Sequence, residues 1–77
     1  MVEAYVLIQA EGGRSAEVAD AAGKIPGVRF ADVVTGPYDV VVRAEAADIN
    51  RLGTLIVSKL QAVVGVTRTL TCPVVHL

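Results

Sequence analysis

The residues best suited to chemistry stand together in the segment Thr35-Gly36-Pro37-Tyr38-Asp39. Tyr38 offers an aromatic ring that needs cover and a hydroxyl that needs a hydrogen-bond partner. Asp39 adds a carboxylate beside the exposed amides of a turn. Together they could bind an ammonium and a carboxylate at once, which is the chemistry of a free amino acid. The same segment also fits a plain hairpin turn with an anchoring tyrosine, and the residues alone leave both interpretations open.

The other reactive side chains have simpler interpretations. His76 stands next to the last residue with no evident partner, which indicates a surface histidine. Cys72, the only cysteine, falls in a predicted strand and is expected to be a small buried apolar group. Gly12-Gly13-Arg14 could cradle an anion before a helix, but no longer phosphate-binding motif surrounds it, which favours a turn. One cysteine and one histidine cannot build a soft-ligand zinc cage, and we expect no metal and no cofactor.

Length and composition favour one small domain that associates with copies of itself. The 77 residues fit a single domain, residues 1–77. Because no intrachain disulfide is available, association is the remaining route to extra stability. The apolar share of 53% is high for so short a chain, which indicates that some apolar surface faces a partner chain.

Charge and hydropathy exclude several function classes. The net charge is −1 and the basic residues are scattered, so no positive stripe is available for a nucleic-acid backbone. With two tyrosines and one phenylalanine, the chain also lacks the stacking aromatics of an RNA-binding sheet. No apolar run is long enough to span a membrane, and the N-terminus lacks the basic start of a secretion signal. We therefore expect a cytoplasmic protein without direct contacts to nucleic acid or membrane.

The elements before the turn begin with a strand and a helix. Residues 4–10 are a continuous β-prone apolar run, which predicts a strand with little exposed face. Ser15 is predicted to cap an amphipathic helix over residues 15–25, and Pro26-Gly27 ends it. A second strand follows over residues 28–35. One side of that strand is predicted to carry Val28, Phe30, Asp32 and Val34.

The elements after the turn repeat this alternation. A third strand from Val40 to about Ala44 should pair with the second as a hairpin. Asp48 is predicted to cap a second helix that Gly65 ends. Its buried stripe is predicted to comprise Ile49, Leu52, Ile56, Leu60 and Val63. Gly53 lowers helix stability by roughly 1 kcal/mol relative to alanine, so we expect it to mark a close packing contact. The fourth strand is predicted over residues 66–72, with Pro73 ending its pairing or marking an edge.

The order β-α-β-β-α-β predicts an α+β fold of the ferredoxin-like type, an antiparallel sheet with two helices on one face. Val40-Val41-Val42 sends valines to both faces of this sheet. The face without helices is therefore expected to be covered. A second copy packing sheet to sheet, as in a dimeric α+β barrel, is the simplest cover.

Several segments resemble the effector-binding domain of the leucine-responsive regulator/AsnC family, called RAM. They are Ile25-Pro26-Gly27-Val28, the run from Val34 to Asp39, Val64-Gly65-Val66 and the pair Thr69 and Thr71. The resemblance spans nearly the whole chain, and the Gly-x-Tyr-Asp turn in this order of elements is its most specific part. Full-length members carry an N-terminal helix-turn-helix, whereas this chain starts at the first strand. It thus resembles the stand-alone form, for which no DNA-binding domain is expected.

The resemblance implies homodimers packed through their sheets and higher rings of dimers. It also implies a free amino acid as effector, bound between dimers. Carried onto this sequence, the binding residues are Gly36, Tyr38 and Asp39 in the turn, with Thr69 and Thr71 on the last strand. Asp39 would face the ammonium, turn amides the carboxylate, and the threonine hydroxyls would orient the ligand. Regulation would be indirect, through mixed assembly with full-length family regulators.

Two other functions stay open on the residues alone. A small dimeric α+β-barrel enzyme would need a closed cavity with a positioned histidine, aspartate or arginine. The single His76 argues against it, and a cavity that joins Arg43 or Arg68 to a carboxylate would favour it. A purely structural assembly partner would need no ligand. We expect a binding module and not an enzyme.

Overall fold

The computed structural model describes all residues from Met1 to Leu77. Four strands form one antiparallel sheet in the order β2-β3-β1-β4. The strands are β1 (Val2–Ala10), β2 (Val28–Val33), β3 (Val40–Ala46) and β4 (Val66–Pro73). The helices are α1 (Ser15–Gly23) and α2 (Ile49–Leu55), and α2 continues as a π-helical segment, Ile56–Leu60. The predicted β-α-β-β-α-β order and ferredoxin-like fold are confirmed.

The core lies between the two helices and one face of the sheet. The two central strands supply most of it through alternate residues, since successive strand side chains point to opposite faces. The fully buried side chains are Ala4, Val6, Ile8, Val18, Ala22, Val40, Val42, Ala44, Leu52 and Leu60, with Ile56 nearly so. Both helices therefore cover the same face, as predicted.

The two helix starts differ in how well they were predicted. Asp48 caps α2 as predicted, because its carboxylate accepts the Arg51 N–H at 2.8 Å. The prediction for Ser15 was wrong: Ser15 is the first residue of α1, and Arg14 holds the cap position without a side-chain hydrogen bond. A serine one residue too late cannot reach the free amides of the first turn.

The second helix buries a narrower stripe than predicted. Leu52, Ile56 and Leu60 are in the core, but Ile49 is 59% exposed. No atom lies within 4 Å of the position where a Cβ of Gly53 would stand, so the predicted close contact at this glycine does not exist within the chain. The end of the helix shifts to the wider π-helical turn, where the Gln61 N–H donates to the Ile56 carbonyl at 2.9 Å.

Strand β2 carries an irregularity that the sequence did not predict. Its register against β3 shifts between Val28 and Phe30. Val28 pairs with Ala44 on the helix-covered face, whereas Phe30 pairs with Arg43 on the other face. The prediction that Val28 shares a side with Phe30 was therefore wrong, because an extra residue in a strand reverses the alternation of the side chains that follow.

The face without helices, here called the open face, mixes apolar and charged side chains. Strand register assigns to it Glu3, Tyr5, Leu7, Gln9, Phe30, Asp32, Val41, Arg43, Glu45, Arg68, Leu70 and Cys72. Phe30 is 41% exposed and Leu70 46%. Cys72 is also exposed, so the prediction that it is buried was wrong. It pairs with Tyr5 across the strands and thus lies on the open face.

None of the helices has the length and apolar character that crossing a membrane requires.

Candidate functional site

The Tyr38 turn, residues 34–39, joins β2 to β3 and is attached to β1 through Asp39. The turn closes where the Val34 N–H donates to the Asp39 carbonyl at 2.9 Å. The Asp39 N–H donates to the Ile8 carbonyl at 2.8 Å. Its side-chain Oδ2 accepts the Ala10 N–H at 2.8 Å. The carboxylate thus binds a backbone amide at the point where β1 shifts its register against β4.

Only one of the two Asp39 carboxylate oxygens is used in this way. The other oxygen, Oδ1, accepts no hydrogen bond within the chain, and the carboxylate forms no ion pair. Asp39 is half-buried. A carboxylate held by one oxygen and free at the other can receive an N–H donor of a ligand without leaving its structural contact.

The turn around this carboxylate is open. Gly36 has φ of 134°, in the range that favours glycine, and no atom lies within 4 Å of the position of a Cβ. Tyr38 is half-buried, and its hydroxyl makes no hydrogen bond within the chain. Gly36, Tyr38 and Asp39 therefore lie in one turn, which carries an aromatic ring, a hydroxyl and a free carboxylate oxygen on neighbouring residues.

Gln9 supports the turn and was not singled out from the sequence. Its side-chain Nε2 donates to the Pro37 carbonyl at 3.0 Å, and its own carbonyl accepts the Thr67 hydroxyl at 3.1 Å. The sequence did carry a signal for Gln9, which is a single amide side chain near the end of an otherwise apolar strand. An amide in that position needs hydrogen-bond partners, and a nearby turn can supply them.

The two threonines do not join this group within one chain. Thr69 pairs with Ile8 and Thr71 with Val6, so both belong to the helix-covered side of β4. Strand β1 separates β4 from Asp39, and two strand spacings amount to roughly 10 Å. The Thr69 hydroxyl accepts a hydrogen bond from Gln61 Nε2 at 3.0 Å. Gln61, like Gln9, was not singled out from the sequence. The structure thus brings three of the five predicted binding residues together, and the threonines lie apart.

The cleft in the structure lies elsewhere, on the open face. It measures about 350 Å³ and is lined by Glu3, Arg29, Phe30, Arg43 and Glu45. Arg43 lies at the centre of this cleft. The Arg43 guanidinium donates to the Glu3 carboxylate and, at 2.6 Å, to the Tyr5 hydroxyl. The same guanidinium lies 4.8 Å from the centroid of the Tyr5 ring, a cation–π distance.

Charge pairing dominates this cleft. The hydrogen bond from Arg43 holds the pKa of Glu3 below its ordinary value, and the same bond raises the pKa of Arg43. Arg29 pairs with Glu45 at 3.1 Å. His76 is a surface residue as predicted, 73% exposed, but it does have a neighbour that the sequence did not show, because its Nε2 lies 3.6 Å from Glu3 Oε1.

This pairing bears on the enzyme alternative. A cleft that joins Arg43 to carboxylates is present, as that alternative required. However, it lies on the surface of the sheet, and each arginine that lines it is paired with a carboxylate. It is not the closed cavity that the alternative also required.

Comparison with known proteins agrees with the fold. The Lrp/AsnC ligand binding domain matches residues 3–76. An uncharacterized HTH-type transcriptional regulator of Pyrococcus furiosus, PF0250, is 35% identical over 71 residues, covering 88% of this chain and 47% of the regulator. The chain thus spans about half the length of the curated regulators it matches. A homocitrate synthase of Sulfurisphaera tokodaii is 35% identical over 71 residues, but the match covers 91% of this chain and only 15% of that enzyme.

Solved structures show the same architecture. TTHA0845 from Thermus thermophilus superposes with a TM-score of 0.92 at 31% identity, covering 100% of this chain and 96% of that protein. AsnC of E. coli has a TM-score of 0.90 at 18% identity, covering 99% of this chain and 52% of AsnC. The regulator NMB0573 of Neisseria meningitidis, solved as a complex with L-Met, has a TM-score of 0.85 at 21% identity, covering 97% of this chain and 50% of that one. At those two lower identities the likeness supports the fold alone. Because the family match covers nearly the entire sequence, the chain belongs to the Lrp/AsnC ligand-binding domain family, which relates it to transcriptional regulators.

Proposed function

We propose that the chain is a regulatory module that binds a free amino acid at the Tyr38 turn, assembles into homodimers and higher oligomers, and catalyses no reaction. The free Oδ1 of Asp39 is the observation that carries this proposal. It is a half-buried anionic acceptor in a turn that also carries the Tyr38 hydroxyl and has open space around Gly36. Regulation would act through mixed assembly with full-length regulators of the family.

The ligand's two charged groups would bind to different parts of the turn. The ammonium donates to Asp39 Oδ1, a charge-assisted contact of the stronger kind. The carboxylate accepts from backbone amides of the turn near Gly36, and the Tyr38 ring covers the side chain. The complex of NMB0573 with L-Met supports an amino acid as the class of ligand.

Assembly completes this site in the proposal. Thr69 and Thr71 lie across β1 from the turn of their own chain. A second dimer that contacts the turn would bring its own threonine hydroxyls to the ligand. The site is therefore proposed to lie between dimers, and binding and assembly should be linked.

The open face supports the dimer. Tyr5 is 39% exposed, and Phe30 and Leu70 are more exposed still, although each lies in a strand of the sheet. Side chains of this kind at one surface indicate a contact with another protein surface. A second copy would cover them sheet to sheet, in the aligned packing of two sheets.

Thermal unfolding against each of the twenty amino acids tests the binding. A ligand at about 100 times its Kd stabilises the folded protein by about 2.7 kcal/mol. On this scale at least one amino acid should raise the Tm by several degrees at millimolar concentration. If none does, the amino-acid proposal is wrong.

Asp39→Asn is the diagnostic variant. The amide oxygen can still accept the Ala10 N–H, but the negative charge that attracts an ammonium is gone. Asp39→Asn should therefore abolish the ligand-induced shift and leave the fold intact. Asp20→Asn is the matched control, because Asp20 lies on α1, is 71% exposed and pairs only with Lys24. A full shift in Asp39→Asn would refute the proposed role of this carboxylate.

One observation favours an assembly-only function. Asp39 already has a structural role, since its Oδ2 accepts a hydrogen bond from the Ala10 N–H. That role alone could explain why an aspartate stands at this position. In that case sedimentation would show the same oligomers with and without amino acids, and calorimetric titration would detect no heat of binding. Ligand-dependent assembly would exclude it.

A further inference from the structure

The charges of the open face sum to zero. Strand register and the Arg29–Glu45 pair place six charged side chains on this face. They are Arg29, Arg43, Arg68, Glu3, Asp32 and Glu45. We propose that this neutral pattern, in which the Arg43–Glu3 pair is the less exposed ion pair, selects an identical chain as the partner of the open face. The inference rests on the sheet-to-sheet assembly proposed above and adds what decides the partner's identity.

The pattern separates an apolar row from a charged cluster. Leu7, Val41 and Leu70 face each other across three strands and form the apolar row, which ends at Asp32 on β2. Two residues further along β1 and β3, Tyr5 and Arg43 begin the charged cluster, which Glu3 and Glu45 extend toward the end of the sheet. A partner must therefore present apolar side chains to the row and hydrogen-bonding groups to the cluster.

The Arg43–Glu3 pair penalises a partner that does not match. Both side chains are only 23% exposed in the isolated chain, so a covering surface would remove most of their remaining water. The guanidinium has N–H groups beyond those used by Glu3 and Tyr5, and each carboxylate has further lone pairs. An apolar surface laid on the cluster would leave these groups without partners, which is costly in a dry interface.

An identical chain satisfies the cluster in a way that an unrelated sheet does not. It brings as many carboxylates as guanidinium groups, so two copies meet without net repulsion. In a two-fold dimer every contact occurs twice, so each favourable contact between clusters is doubled, and so is each mismatch. Discrimination by unpaired charges of this kind sets specificity between similar interfaces. The broad side of the molecule, 35 by 24 Å, is of the order of the ~800 Å² per partner that a stable interface buries.

A charge-swapped chain tests the selection directly. Glu3→Arg combined with Arg43→Glu keeps an opposite pair within each chain but reverses the pattern that it shows to a partner. Isotope-labelled wild type and the swapped chain are mixed, allowed to exchange subunits, and analysed by native mass spectrometry. We expect both homodimers, with the mixed dimer at least fivefold below the statistical amount. A statistical mixture of wild-type and swapped chains overturns the inference.

Asp20→Lys combined with Lys24→Asp is the matched control. This pair lies on α1, away from the open face, with its charged atoms 3.1 Å apart and its side chains 71% and 76% exposed. The control chain should mix statistically with wild type. If it also sorts from wild type, selection does not come from the open face and the inference is overturned.

A second series decides the matter if the swapped chain does not fold. Arg43→Met removes the charge but keeps an apolar stem, so it leaves Glu3 without its guanidinium partner and with only His76 nearby, 3.6 Å away, and it should raise the dimer Kd at least tenfold. Combining it with Glu3→Gln removes the orphaned charge and should return the Kd to within about threefold of wild type. An unchanged Kd in Arg43→Met, or no recovery in the double variant, overturns the inference. A wild-type chain that stays monomeric would instead refute the proposed assembly itself.

Discussion

Replacing Asp39 by alanine should weaken the fold as well as any ligand site. The change removes the acceptor of the Ala10 N–H and leaves this amide of β1 without its partner. A hydrogen bond to a charged group contributes about 1.5–3 kcal/mol to stability. Because Asp39 is only half-buried, the lower end applies, and we expect a loss of about 1.5 kcal/mol in the free energy of unfolding.

The matched change to asparagine separates the two roles of the side chain. An asparagine at this position would keep a neutral acceptor for Ala10, whose contribution is about 0.5–1.5 kcal/mol. Asp39→Asn should therefore lose less than Asp39→Ala loses, at most about 1 kcal/mol. For a domain of this size 1 kcal/mol corresponds to about 4–8 °C in Tm, so the alanine variant should melt roughly 6–12 °C below wild type.

The assay is urea unfolding followed by circular dichroism, with calorimetry for the Tm. All three proteins are compared at one protein concentration, because assembly makes the Tm depend on concentration. If Asp39→Ala is as stable as wild type, the contact to Ala10 contributes nothing and the reasoning fails. If Asp39→Asn loses as much as Asp39→Ala, the charge and not the acceptor is what the fold requires.

Three further predictions concern the glycines, the charged pair and the open face. Gly53→Ala should raise the free energy of unfolding by about 1 kcal/mol through helix propensity, because no atom lies near the position of its Cβ. Gly27→Ala should clearly lower the free energy of unfolding. Gly27 has φ of 97°, and a Cβ there would stand 2.5 Å from Leu55 Cδ1. Urea unfolding of both variants checks this, and equal effects would contradict it. The pKa of Glu3 lies below its ordinary 4.5, so its pairing stabilises the fold above that value and the contribution is lost as the pH falls through the lower folded pKa. In Glu3→Gln the acid side of the Tm-versus-pH curve should be flatter, and an unchanged curve would exclude the pair as its cause. Leu70→Asp should raise the Kd of sheet-to-sheet dimers at least tenfold in sedimentation equilibrium without changing the circular dichroism spectrum, and dimers of unchanged affinity would exclude the open face as the interface.

The elements of this protein follow from patterns that its sequence carries locally. Apolar runs predict the strands, and the spacing of Leu52, Ile56 and Leu60 predicts the buried side of the second helix. Asp48 marks a helix start, and its carboxylate does accept a backbone N–H three residues on. These features depend on backbone geometry over a few residues, so the order of strands and helices, and with it the fold, can be predicted without knowing any distant contact.

Contacts between distant residues were decided only by the tertiary structure. The extra residue in β2 places Val28 opposite Ala44, and no local sequence pattern indicates this shift in register. The Asp39 carboxylate binds the amide of Ala10, 29 residues away, and Arg43 reaches Glu3 across 40 residues. The sequence by itself thus determined the fold and pointed to the turn as a candidate site. Which oxygen of Asp39 is free, and which charges meet on the open face, depend on the register between strands, because a shift of one residue turns every later side chain to the opposite face.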